Sequence, residues 1–244
     1  MPTVEVADVY KNFGGVQALR GVSFSLGDSA VLGLIGPNGS GKSTLLNIIA
    51  GLQKPTSGTV RLDGKKIGGL RADRIVGLGV AKTSQIPKPF LNMDVRENVA
   101  VAALYGRRFR SVGPALEEAD RTLSLVEMHG KKDAPTSSLT AQEKKRLELA
   151  KVVATGAKVL LLDEVFAGLS AEELRDSVEL FRRLHGELRF SALVVEHVMR
   201  AVLNLSESVV VLEEGQVIAT GSPEQIVHDE KVVQAYLGSK QVDT

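Results

Sequence analysis

The chain has 244 residues and no cysteine. That excludes disulfide staples and thiolate metal sites, and it is compatible with a reducing compartment without proving one. An excess of charge of either sign is missing too: thirty basic residues face twenty-nine acidic ones, a formal net charge of +1. Such a balance gives no bulk electrostatic drive toward nucleic acid or an anionic membrane. No apolar run approaches the roughly 20 residues that span a bilayer. The start, MPTVEVADVY, lacks a basic stretch followed by an apolar signal core. The expectation is a soluble chain whose membrane role, if any, passes through a partner. Neither an internal repeat nor a low-complexity segment interrupts it.

What is present is an ordinary globular composition, 43% apolar and 24% charged. Residues 3–9 and 22–26 read as strands, and AVLGLIG (30–36) as a buried strand ending in glycine. STLLNIIAG (43–51) predicts a helix closed by Gly51. SGTVRLDGKKI predicts a hairpin turning at Asp63-Gly64. The prolines of IPKPF (86–90) force an extended loop. Residues 95 to 156 follow a mostly helical pattern. VLLLDE (159–164) suits a strand buried on both faces. A helix over 171–187 puts Leu174, Val178, Phe181 and Leu184 on one face. SALVVEH reads as another buried strand, SVVVLEEGQVIATG as a hairpin around Gly215, and 223–237 as short helical pieces. Strands and helices alternate at both ends with helices between, which predicts an α/β fold: a substantially parallel sheet plus a helical subdomain.

GPNGSGKS (36–43) fits G-x-x-x-x-G-K-[ST] between a predicted strand and a predicted helix, the context of a P-loop. Its glycines let backbone N–H groups turn inward around a phosphate, and the helix N-terminus adds partial positive charge. Lys42 would reach the β- and γ-phosphates, and the Ser43 hydroxyl would bind Mg²⁺. Candidate nucleotide contacts are Gly36, Pro37, Asn38, Gly39, Ser40, Gly41, Lys42, Ser43 and Thr44. Asp163 ends an apolar strand and can hold Mg²⁺, commonly through water. Glu164 follows at once and is the natural group to orient or deprotonate an attacking water. His197 ends the LVVEH strand; alone, such a histidine is more often structural. GLGVAK has G-x-G without a third glycine and is no dinucleotide fingerprint. RRFR (107–110) reads as a solvated basic loop.

The P-loop, Ser84-Gln85, LLLDE and His197 come in the order and approximate spacing of an ABC ATPase, and the resemblance covers essentially the whole chain. It implies a P-loop NTPase (RecA-like) core, about 1–88 and 157–244, with an N-terminal antiparallel β-subdomain and a helical subdomain inserted at about 89–156. It also implies ATP and Mg²⁺. Phe13 resembles the aromatic that stacks on adenine. Gln85 resembles the glutamine that contacts Mg²⁺ and attacking water, so the implied metal set is Ser43, Gln85 and Asp163. Glu164 matches the catalytic base, and His197 the γ-phosphate sensor. AGLS (167–170) resembles the loop that meets a partner ATPase, with Ser170 where an acid or Asn is usual; Val165 stands where proline is usual.

Within that family, GVAKTSQIPKPF, VVEHVMRAV and GSPEQIVHDEKVVQAYLG resemble the ATPase of branched-chain amino acid importers. The resemblance implies a second ABC ATPase subunit, as homo- or heterodimer, and two integral membrane permease subunits. A solute-binding protein would act indirectly, no nucleic acid is involved, and the place is peripheral on the cytoplasmic face of the membrane. Pro87, Pro89 and Phe90 would line a groove for the permease. A lipopolysaccharide-type exporter ATPase has closely related motifs. A soluble, non-transport ABC ATPase usually carries two ATPase domains or long coiled coils. A P-loop kinase would leave Gln85 and His197 unexplained.

Leu139, Thr140, Ala141, Gln142 and Glu143 fall on the family's LSGGQ signature, which acts on the partner's ATP. Thr140 keeps the hydroxyl; Ala141 and Gln142 lose the glycines' freedom at positive φ. Thr140-x-x-Glu143 is at the same time a capping box. The expectation is that Glu143 caps the helix at rest and that the signature offered to a partner is weakened.

Overall fold

From Val31 to Ile35 every residue is buried, so this strand, β3 (Val31–Ile35), must be covered on both faces. The computed structural model describes residues 3–107, 109, 111–196 and 199–238. It divides into two compact units, one joining residues up to 72 with those from 191 onward, the other running from 73 to 190. In the first unit β3 pairs in parallel with β8 (Ser191–Val195) and with β9 (Ser208–Glu213). β10 (Gln216–Gly221) turns back antiparallel onto β9 around Gly215, as the sequence predicts. α1 (Lys42–Ile49) follows β3 and buries Leu45, Leu46, Ile48 and Ile49 completely. At about 1.5–3 kcal/mol per buried side chain, packing rather than intrinsic propensity stabilises so short a helix. α7 (Met199–Leu205) comes close to β3 because Gly33 has no side chain. A Cβ there would lie 2.4 Å from Val202 Cγ1 and 2.8 Å from Ser206 Oγ. α8 (Pro223–His228) and α9 (Glu230–Gly238) end the described chain.

The same unit holds an antiparallel sheet in the order β2 (Val16–Leu26), β1 (Val4–Phe13), β4 (Ser57–Leu62), β5 (Lys65–Lys66). β1 and β2 run beyond the expected 3–9 and 22–26 and meet at a Gly14-Gly15 turn. Their outer halves are largely exposed, the apolar Phe13 and Val16 included, so no alternation of buried and exposed residues marks them. A register shift around Asp8 (φ +48°), whose N–H donates to Ser23 Oγ at 2.9 Å, breaks the period further. β4 and β5 pair across the Asp63-Gly64 turn as expected.

The second unit opens with α2 (Ala72–Gly77) and a parallel strand pair, β6 (Val80–Lys82) with β7 (Val159–Asp163). α3 (Val95–Gly106), α4 (Val112–Leu125) and α5 (Ala141–Ala154) pack on one another. α6 (Ala171–Leu188) buries Val178, Phe181 and Leu184 and half-buries Leu174, the predicted stripe. The unit takes in β6, β7 and α6 as well as these helices. Neither α2 nor α7 was expected; helices this short show too little of a 3.6-residue period. Arg107 is also more than a solvated loop residue: it pairs with Glu118 at 3.0 Å and donates to the Ala154 carbonyl at 3.2 Å.

Residues 83–90 are neither helix nor strand, and Asn98 anchors their far end. This fully buried side chain on α3 donates from Nδ2 to the carbonyls of Phe90 (3.1 Å), Met93 (3.2 Å) and Asp94 (2.8 Å). Its Oδ1 accepts from the Phe90 N–H at 2.8 Å. Asp94 caps α3 reciprocally with Glu97. Asn98→Ala takes this partner from the Phe90 N–H and the Met93 carbonyl, while the Phe90 and Asp94 carbonyls keep backbone partners, and should lower unfolding stability by about 2–4 kcal/mol. Urea denaturation with an unshifted midpoint would refute that role.

Candidate functional site

In the first unit, residues 36–41 link β3 to α1. Gly36 has φ +149°, and a Cβ there would lie 2.0 Å from the Leu212 carbonyl oxygen, so only glycine fits. Gly41 stands at the N-cap of α1, and no side chain bonds the first turn. The helix therefore offers its leading N–H groups and the positive end of its dipole. Lys42, 5% exposed, turns back into the loop. Its Nζ donates to the carbonyls of Gly36 (2.7 Å) and Pro37 (2.8 Å) and reaches Ser40 Oγ at 3.4 Å. The Gly215 N–H bonds the Ser40 carbonyl at 3.1 Å and braces the loop with the β9–β10 turn. Asn38, Gly39 and Ser43 are exposed and Thr44 is half-buried. An anion entering this loop would meet backbone donors and an ammonium able to exchange carbonyl partners for phosphate oxygens. Phe13 lies at the end of β1, with Lys11 Nζ 4.6 Å from its ring centroid.

In the second unit, β7 delivers Asp163, whose buried side chain accepts from Lys82 Nζ at 2.8 Å through Oδ2. Its Oδ1 is buried and has no hydrogen-bond partner among the described residues. Glu164 follows at φ +53° and accepts from Gln85 Nε2 at 3.0 Å. That bond leaves the carbonyl half of the Gln85 amide for other use. Asp163 Oδ1 and Gln85 Oε1 are hard oxygen donors of the kind Mg²⁺ takes, so the residues present fit that ion. Residues 82–85 are pinned one after another. Thr83 N–H bonds the Leu161 carbonyl at 2.9 Å, Thr83 Oγ1 accepts from the Asp163 N–H at 2.9 Å, and the Ser84 N–H reaches Glu148 Oε2 at 3.4 Å. His197 lies outside the described residues.

The signature stretch starts α5. Leu139 is buried, while Thr140 and Ala141 are exposed. Thr140 Oγ1 accepts from the Glu143 N–H at 3.2 Å, and Glu143 Oε2 accepts from the Thr140 N–H at 2.9 Å, the expected capping box. Lys131 adds an ion pair to Glu143. Behind the signature, Lys145 donates to the carbonyls of Ala167 and Glu164. Ser170 is the N-cap of α6, its Oγ accepting from the Glu173 N–H at 3.3 Å, which gives a serine there a structural use.

Sequence reasoning missed Lys82, Lys131, Lys145 and Glu148. The one available signal was a lysine on the short strand before Gln85, but its pairing with Asp163 depends on strand register. Glu143 titrates below an ordinary glutamate, first because Lys131 bonds it and then through the Thr140 N–H. An acid depressed in this way stabilises the cap above its unfolded pKa, and the gain disappears as pH falls through the folded value. Carbon-13 titration should place Glu143 below an ordinary glutamate, and Lys131→Met should raise it. A midpoint unmoved by that substitution would rule out the ion pair as the leading cause.

The ABC transporter family model matches residues 19–167, and the branched-chain amino acid ATP-binding cassette transporter model matches 216–241. The high-affinity branched-chain amino acid transport ATP-binding protein BraF of Pseudomonas aeruginosa is 35% identical, over 97% of this chain and 98% of its own length. LivG of Escherichia coli K12, of the same description, is 33% identical over the same shares. A crystal structure of an ATP-binding cassette of an ABC transporter in its ADP conformation superimposes with a TM-score of 0.89 at 28% identity, covering 98% of this chain and 99% of that one. The P-loop NTPase architecture with an antiparallel β-subdomain, expected from the motifs, is the fold of such cassettes. With a family model over most of its length and full-length relatives above 30% identity, the chain belongs to the ABC transporter family, as an ATP-hydrolysing, nucleotide-binding subunit.

Proposed function

We propose that this chain energises the uptake of branched-chain or related amino acids, as a single ATPase domain over 1–244. The observation that carries the substrate class is the match of its C-terminal segment, 216–241, to the branched-chain cassette model. Full-length relatives described as branched-chain amino acid transport proteins support it.

In this reading Gly36 to Thr44 hold the ATP phosphates, with Lys42 turning from its own loop's carbonyls to the nucleotide. Phe13 stacks on adenine, with the Lys11 ammonium beside it. Ser43, Asp163 and Gln85 hold Mg²⁺, which when bound would neutralise phosphate charge. The Lys82 ammonium fixes one Asp163 oxygen and leaves the other for the metal's side. Glu164 directs and deprotonates water; its bond from Gln85 couples the base to the loop that runs on to Phe90. His197 senses the γ-phosphate. Leu139 to Glu143 act on a partner's ATP, with Thr140 supplying the hydroxyl.

The partners are a second ABC ATPase, as homo- or heterodimer, two permease subunits and, indirectly, a solute-binding protein. The chain would sit peripherally on the cytoplasmic face of the membrane; among the described residues no helix is long and apolar enough to cross one. Ile86, Phe90 and Leu91 are exposed apolar side chains on and next to the 83–90 segment, as a docking surface requires.

Affinity isolation of the tagged chain from gently solubilised native membranes should recover two polytopic proteins. The reconstituted complex should take up branched-chain amino acids with ATP. Recovery of ribosomal or DNA-processing proteins alone would refute transport. In that complex Phe90→Asp should abolish uptake while leaving ATP hydrolysis within about 3-fold of wild type. Reverting residues 141–143 to Gly-Gly-Gln should raise turnover by about 3-fold or more; an unchanged rate would sink the idea of a weakened signature.

A further inference from the structure

Glu143 sets a carboxylate into a stretch whose proposed duty is to meet a triphosphate. The rest of that stretch suits an anion. Thr140 Oγ1 accepts from the Glu143 N–H at 3.2 Å, which leaves the hydroxyl's own proton to donate. The N-terminus of α5 adds the positive end of its dipole. Glu143 opposes both, because it is ionised at neutral pH: an ordinary glutamate titrates at about 4.3, and this one lower.

The structure answers that charge with another. Glu143 accepts from the Thr140 N–H through Oε2 at 2.9 Å, while its Oε1 pairs with Lys131 Nζ. Among the described residues no other cation pairs with it. Nearby cations are engaged elsewhere, Arg146 with Glu127 at 3.4 Å and Lys132 with Asp120 at 4.0 Å. Lys131 is delivered from a fixed base, the 3₁₀ turn His129–Lys131. Its N–H bonds the Met128 carbonyl at 2.9 Å, and its own carbonyl accepts from the Ala134 N–H at 3.0 Å. The lysine side chain is half-exposed, and an ion pair so open to water adds little to stability. Its effect lies in the field at the start of α5.

We propose that Lys131 is a positioning residue for the partner's nucleotide, acting through Glu143: it cancels the carboxylate's charge, so that the Thr140 hydroxyl and the helix N-terminus can meet phosphate without repulsion. The proposal rests on the reading that residues 139–143 act on a partner's ATP.

ATP hydrolysis by the reconstituted complex tests it. Lys131→Met should raise the KM for ATP about 3- to 10-fold at low ionic strength and lower kcat by less than about 2-fold. The difference should fade in roughly 1 M salt, where charges are screened within about 3 Å. Lys131→Met/Glu143→Gln should return KM to within about 2-fold of wild type, since glutamine keeps the cap without the charge. In the isolated chain, Lys131→Met should leave the Kd of a fluorescent ATP analogue within about 2-fold, because the pair serves the partner's nucleotide. An unchanged KM overturns the proposal. So does a raised KM that Glu143→Gln fails to reverse, or an equal loss of binding in the isolated chain. If Thr140→Ala leaves both KM and kcat of the complex unchanged, the signature reading itself fails, and the proposal with it.

Discussion

A buried ammonium has to be solvated by something, and in this chain the P-loop does it. Lys42 is 5% exposed, so water cannot serve it, and two carbonyls of its own loop take that place. Those carbonyls can turn inward only because the loop bends through positive φ at Gly36, Gly39 and Gly41. The bend needs firm ends. β3 provides one, buried along its whole length, with α7 drawn close over the bare Gly33. α1 provides the other, its four large aliphatic side chains sunk in the core. The same arrangement that satisfies the ammonium makes the loop a receptor for phosphate, because a cation held by neutral carbonyls gains on exchanging them for charged oxygens.

The second unit solves the converse problem, a buried carboxylate. Asp163 has one oxygen neutralised by Lys82 and the other without a partner among the described residues. A lysine on β6 and an aspartate on β7 meet because the two strands run parallel in a register that pairs Lys82 with Leu161. The same register sets Thr83 against the Asp163 N–H and leads the chain to Gln85, within reach of Glu164. A few residues of strand pairing therefore position both the acid suited to a metal and the acid suited to water.

Much of this was legible in the sequence. GPNGSGKS carries its own physics, since glycine spacing and a following helix are local properties. VLLLDE is a buried strand with acids at its end on composition alone, and the Thr140–Glu143 box needs nothing beyond three residues of spacing. Illegible were the contacts set by strand register and by loop shape: Lys82 with Asp163, and Asn98 with the carbonyls of Phe90, Met93 and Asp94. Each joins residues whose individual types are unremarked in their neighbourhoods. The outer halves of β1 and β2 escaped for another reason, since strands exposed along much of their length lack the alternation that announces them.

Lys145 has a wider consequence. Its single ammonium, on the helix that Thr140 starts, is shared by the carbonyls of Glu164 and Ala167. The turn that presents the acid and the helix that presents the hydroxyl are thereby yoked. If Glu164 serves the chain's own nucleotide and Thr140 a neighbour's, the two duties share one axle. Substitutions in the 165–169 turn would then be felt in the neighbour's chemistry.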